Sequence, residues 1–183
     1  IHNTFRVGDF WSHIKNSEIK GICHTCSVPE SLEHIALECG APGQKLIWLF
    51  TQQLWTLKYD RWPDLNWGLI PGSNLVKFKS PQEQIIHVKG RLFAVLVSSA
   101  WHLIWNLNVN HVIANPDRIL TSTEIYNQWL NTINCALQWD RLLTDKVRFD
   151  SLALNKQLML STWSGLLLDE DSQPDDWTKE GVL

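Results

Sequence analysis

Three cysteines and a histidine crowd into one short stretch, Cys23 to Cys39, which reads CHTCSVPESLEHIALEC. Two residues separate Cys23 from Cys26, seven separate Cys26 from His34, and four separate His34 from Cys39. Two thiolates on one tight turn, joined by an imidazole and a third thiolate from a following helix, can close a tetrahedron around Zn²⁺. With every position filled by protein, such a site is structural and has no place for an activated water. A lone Cys-x2-Cys pair would read equally well as buried thiols in a Trp-rich core. The third Cys and the His close behind it favour metal. His24 falls between the paired cysteines, where the turn should point it outward. Cys135 lies far away in sequence and is expected to be a packed core thiol.

The surrounding residues must hold that stretch in shape. Pro29 follows the knuckle, Ser31 can cap a helix through Leu32, Ile35 and Ala36, and Gly40 to Pro42 can end it. His34 and Cys39 are five apart and do not share a face of an unbroken α-helix. The helix is therefore expected to fray near Glu38 and swing Cys39 back toward the metal. Upstream, Phe5, Phe10, Trp11 and Ile14 suit a short amphipathic helix starting near Asp9 and packing on the knuckle.

Downstream the apolar spacing is helical. Gln44 to Leu57 carries Leu46, Ile47, Leu49, Phe50, Leu54 and Trp55. Residues 58–80 break the pattern with Trp62-Pro63, Trp67-Gly68 and Pro71-Gly72. Ser80-Pro81-Gln82-Glu83 reads as a capped helix start, with Pro at the first helical position and Glu completing a capping box. A long apolar helix from there to about His111 would form the centre of a bundle, interrupted at Asn115-Pro116. Thr121 to Glu124 repeats the capping pattern ahead of Ile125, Trp129, Leu130, Ile133, Leu137 and Leu142. Val147, Leu152, Leu154, Leu158, Leu160 and Trp163 predict a last helix ending near Gly165. The expected fold is mainly α, a helical bundle around a long central helix with a small N-terminal zinc knuckle. Its expected divisions are a CCHC subdomain with flanking helices over 1–57, a loop segment over 58–80, the bundle over 81–168, and an acidic extended surface tail over 169–183.

Composition agrees with a packed domain: 183 residues, 44% hydrophobic, 19% charged and eleven Trp, each with a large area and an indole N–H to satisfy. Four cysteines, three of them in a metal pattern, and no secretory signal point to a reducing, intracellular setting, nuclear or cytoplasmic. No window approaches eighteen consecutive apolar residues, so no membrane span is expected. The first residue is Ile1, as expected for a piece of a longer chain. Net charge is −3. Six acids and one Lys lie in 169–183, which leaves fifteen basic and thirteen acidic side chains in the remainder. A near-neutral body is compatible with a modest nucleic-acid contact.

Other constellations are weak. His87, His102 and His111 do not converge on one helical face. Ser98 or Ser99 with His102 has no Gly-framed elbow. Trp101 and Trp105 could stack bases, but their spacing on an apolar helix fits a core better.

The knuckle with its flank, Cys-x2-Cys, Glu33-His34-Ile35, Cys39 and Ile47-Trp48, resembles the zinc-binding segment near the C-terminus of non-LTR retrotransposon reverse transcriptases. Later phrases are similar to a fungal (basidiomycete) branch of those elements, ribonuclease-H-like or reverse-transcriptase-like. These are Arg91-Leu-Phe, Trp101-His-Leu-Ile-Trp105, Glu124-Ile-Tyr-Asn-Gln-Trp129, Leu142-Leu-Thr-Asp145, Thr162-Trp-Ser-Gly165 and Pro174-Asp-Asp-Trp177. The resemblance implies zinc binding and help in gripping the element's RNA or target DNA. The basic residues close to the knuckle are Lys15, Lys20 and Lys45. No Tyr-x-Asp-Asp polymerase motif is present, no ribonuclease H carboxylate set can be assembled, and Asp175-Asp176 reads as a solvated turn. The leading expectation is a non-catalytic zinc-stabilised nucleic-acid-binding module. The alternatives are a helical module that binds a protein partner, its parent chain or a second copy, and an enzyme with a pocket in the bundle.

Overall fold

A computed structural model describes residues 5–114, 118–168, 170–172 and 177. The described residues are mainly helical and contain no strand, only isolated bridges at Ile22–Pro29 and Lys79–Ile85. Helix α1 spans Pro42–Thr56, α2 His87–Val109, α3 Ser122–Leu143, α4 Lys146–Phe149 and α5 Lys156–Trp163. Helices α1, α2 and α3 pack on one another, and α5 closes against α2 and α3.

Helix α2 is the centre because it carries a wide apolar face, with Ser98, His102 and Asn106 exposed on the other side. Leu92, Phe93, Leu96, Val97, Ala100, Leu103 and Ile104 are all buried. Its length and composition alone, with the residues that continue it to Val112, would suffice to cross a membrane. Here neighbouring helices cover its apolar side.

Trp55, fully buried on α1, gathers the aromatic core. Tyr59, Trp62, Phe78 and Phe93 lie with ring centroids 4.7–5.9 Å from it. Lys89 lays its ammonium over the faces of Trp55, Tyr59 and Phe78. A three-ring seat of that kind stabilises a cation taken out of water.

Polar links fix the packing. Arg91 on α2 makes a two-pronged ion pair with Asp140 on α3, at 2.7 and 2.6 Å, and Trp163 Nε1–H on α5 donates to the same carboxylate at 2.7 Å. Trp129 Nε1–H donates to Thr51 Oγ1, joining α3 to α1. The Lys58 ammonium, just past α1, donates to the carbonyls of Ser161 and Ser164 at the end of α5, where a cation meets unsatisfied carbonyls.

Several sequence expectations need correction. Ser80 does not cap a helix. Its hydroxyl accepts from Gln82 and Gln84 N–H within a tight turn, Glu83 sits at φ 62°, and Ile86 N–H bonds Phe78 O, so α2 starts only at His87. Glu83 pairs with Lys79 across that turn instead. Cys135 is exposed on α3, not packed in the core. Leu130 and Leu142 are also exposed, while Ile125, Trp129, Ile133 and Leu137 are buried. The last helix is broken at Asp150 (φ 45°) into α4, a 3₁₀ turn at Asp150–Leu152, and α5, which Asn155 caps through Leu158 N–H. Val147 and Leu152 are consequently exposed. Trp177, expected on the surface, is 5% exposed and belongs to the core. Asn115-Pro116, Asp175-Asp176 and most of the acidic tail lie outside the described residues. The expected helix near Asp9 is a 3₁₀ segment, Gly8–His13. The Thr121–Glu124 capping box forms in full.

Candidate metal centre

The knuckle is a closed backbone turn. Cys23 N–H bonds Val28 O and Ser27 N–H bonds Cys23 O, each at 2.8 Å, and Glu30 N–H bonds Gly21 O. Ser27 holds a left-handed φ of 57°, which lets the chain double back within so few residues. The 3₁₀ segment at Gly8–His13 lies directly on this turn. A Cβ at Gly8 (φ +53°) would come 2.4 Å from Glu30 O, and one at Gly21 would come 2.5 Å from Gly8 O. Only glycine permits that approach.

The imidazole and the third thiol of the cluster come from the next turn of chain. Ser31 Oγ accepts from His34 N–H at 3.0 Å and starts the helix as expected. The helix does not then fray near Glu38. It widens into a π-helix over His34–Glu38, with Cys39 N–H bonding His34 O, five residues back, at 2.8 Å. One extra residue in the turn brings His34 and Cys39 to the same side, which α-winding could not do. Helix α1 holds this widened turn. Gln44 Nε2 and Trp48 Nε1 both donate to Ala36 O, at 2.8 and 2.7 Å.

Cys23, Cys26, His34 and Cys39 thus converge, their ligand atoms all within 4.8 Å of one another, and could hold a metal ion. Cys23 and Cys39 Sγ are 3.7 Å apart. Thiolates at about 2.3 Å from a tetrahedral zinc stand roughly 3.8 Å apart. His34 is 6% exposed, and its Nε2 is buried with no hydrogen-bond partner among the described residues. An orphaned ring nitrogen among three sulfurs is what a ligand position looks like. On the far side of that ring, Nδ1 faces Glu38 Oε2 at 3.7 Å, beyond hydrogen-bond length.

The sulfurs differ in environment. Gly40 N–H donates to Cys26 Sγ at 3.1 Å, and this bond, with smaller help from the neighbouring thiols and Lys45, holds the Cys26 thiol below its ordinary range. Burial pushes Cys39 up to about 12, although Ala41 N–H bonds its sulfur at 3.4 Å. Metal coordination would have to displace the Cys39 proton. His24 points outward, its ring 6.1 Å from that of His111. His102 bonds Asn106, and His87, His102 and His111 do not gather into a second centre among the described residues. Of the basic residues near the knuckle, Lys15 and Lys45 are exposed, whereas Lys20 lies over the Trp11 ring at 5.2 Å.

One residue that positions the site is not marked by the sequence pattern: Gln44, whose signal is a polar side chain buried inside an apolar helix. No family model, curated protein or solved structure matches the chain. What bears on function is therefore the geometry of this centre.

Proposed function

We propose that the chain is a zinc-fastened helical module that contacts nucleic acid without catalysing a reaction. The observation that carries it is the convergence of three sulfurs and one unpartnered imidazole nitrogen in a space a tetrahedral ion would fill. Soft thiolates with one imidazole favour zinc over the harder divalent ions. Four protein ligands saturate that ion, so its part is to pin the knuckle to the widened turn that α1 braces. The nucleic-acid part is supported by the sequence resemblance and by the exposed ammonium groups of Lys15 and Lys45 on either side of the knuckle.

Native mass spectrometry should find one zinc per chain, lost on chelation. Gel shifts with RNA and DNA should show binding at low salt with a shallow salt slope, weakened by Lys15→Glu with Lys45→Glu. One observation favours a second reading, a protein-interaction module. Trp139 (64% exposed), Leu142, Leu143 and Val147 (98% exposed) leave apolar surface bare at the end of α3 and in α4. Zinc without any nucleic-acid shift at low salt would favour that reading.

A further inference from the structure

Cys23 and Cys39 also form part of the wall of a pocket of about 170 Å³ between the knuckle, the start of α1 and the end of α2. Ile35, Ile104, Leu107 and Ile125 make its body apolar. A cavity of roughly 150 Å³ lined by such side chains accommodates one benzene ring. One wall departs from that character. Glu30 faces the pocket and is 6% exposed. Burial raises its carboxyl above the ordinary range, opposed by the Asn108 side chain and by the imidazoles of His34 and His24.

Among the described residues no Lys or Arg pairs with Glu30. The guanidinium on the pocket wall, Arg118, is taken by Glu124 at 2.8 Å. A buried carboxylate that meets the Asn108 amide and two imidazoles but no ammonium or guanidinium is costly, and in an apolar pocket it marks a place where a ligand can bring a full opposite charge.

We propose that this pocket binds a small single-ring organic amine, its ring among Ile35, Leu107 and Ile125 and its ammonium against Glu30. The pocket's size selects the ring, and the carboxylate selects the amine over a neutral or acidic analogue of the same shape. The proposal depends neither on nucleic-acid contact nor on which metal the four ligands hold.

Benzylamine, benzyl alcohol and benzoate, titrated into the full chain and followed by amide NMR shifts, test it. Benzylamine should move the signals of Ile35, Leu107 and Ile125 with a Kd on the order of 1 mM. Benzoate should bind at least about tenfold more weakly. Glu30→Gln should remove about tenfold of the benzylamine affinity while leaving benzyl alcohol unchanged, and Leu107→Trp, which fills the pocket, should abolish benzylamine binding. Equal binding of amine and carboxylate, shifts confined to another surface, or a Leu107→Trp protein that still binds would each overturn the proposal. If Glu30→Gln does not fold, the preference of the wild-type chain and the Leu107→Trp block still decide it.

Discussion

At the scale of single residues, the four side chains that converge were legible and their support was not. Few side chains suit a metal ion, so the cluster of Cys23, Cys26, His34 and Cys39 stands out by type and spacing. The wide turn that aligns His34 with Cys39 does not, because it depends on Ala36 O finding Gln44 and Trp48 on the next helix. Cys39→Ser should bring zinc from one per chain to near zero by native mass spectrometry. The loss should be large locally, since structural zinc is worth on the order of 10 kcal/mol to small sites. Asp140 carries a different load, accepting from both Arg91 and Trp163 near the centre of the packing. Asp140→Ala should cost about 3–5 kcal/mol in chemical denaturation, because Arg91 keeps its charge and loses its partner. Nothing in the sequence marks Asp140, one acid among the polar positions of a helix.

Among the elements, Ser80–Glu83 and Thr121–Glu124 show why one pattern has two outcomes. Both offer a hydroxyl followed three residues later by Glu. At Thr121 the following residues continue helically and the reciprocal bonds form. At Ser80 the strand-like pairing of Phe78 with Ile86 takes the backbone first, and the hydroxyl serves a turn. The Thr121 cap should be visible in pH dependence. Hydrogen bonds from Thr121 N–H, the Arg118 side chain and Thr121 Oγ hold Glu124 down to about 2, against about 4.3 for a free Glu. A depressed acid contributes stability that is present above the unfolded value and lost as pH falls toward the folded one. Thermal unfolding between pH 5 and 2, roughly that window, should therefore fall more steeply for wild type than for Glu124→Gln. The glycine contact at the knuckle is equally testable. Gly8→Ala forces a side chain into left-handed backbone at about 1–2 kcal/mol and drives its Cβ into Glu30 O. Amide exchange over residues 8–30 should quicken while α3 stays protected.

Across the whole molecule, the mainly α architecture and the central place of α2 were legible because a long helix with so wide an apolar face needs other helices packed against it. The broken final helix and the buried Trp177 were not, since apolar spacing in a short segment does not reveal which residues reach the core. The core runs through Trp55, Phe93, Leu96 and Trp163 without using the Cys–His cluster. Chelation should therefore loosen the knuckle and the segment before it while most of the far-UV helical signal remains, and loss of all helix would contradict that independence. The latch from Lys58 to the carbonyls of Ser161 and Ser164 joins positions 103 to 106 residues apart. On the ribosome, that latch cannot close until Ser164 has left the exit tunnel, and Asp140 waits for Trp163 in the same way. Nascent chains halted before α5 should stay open to protease, and commitment to the native state should come as one late step.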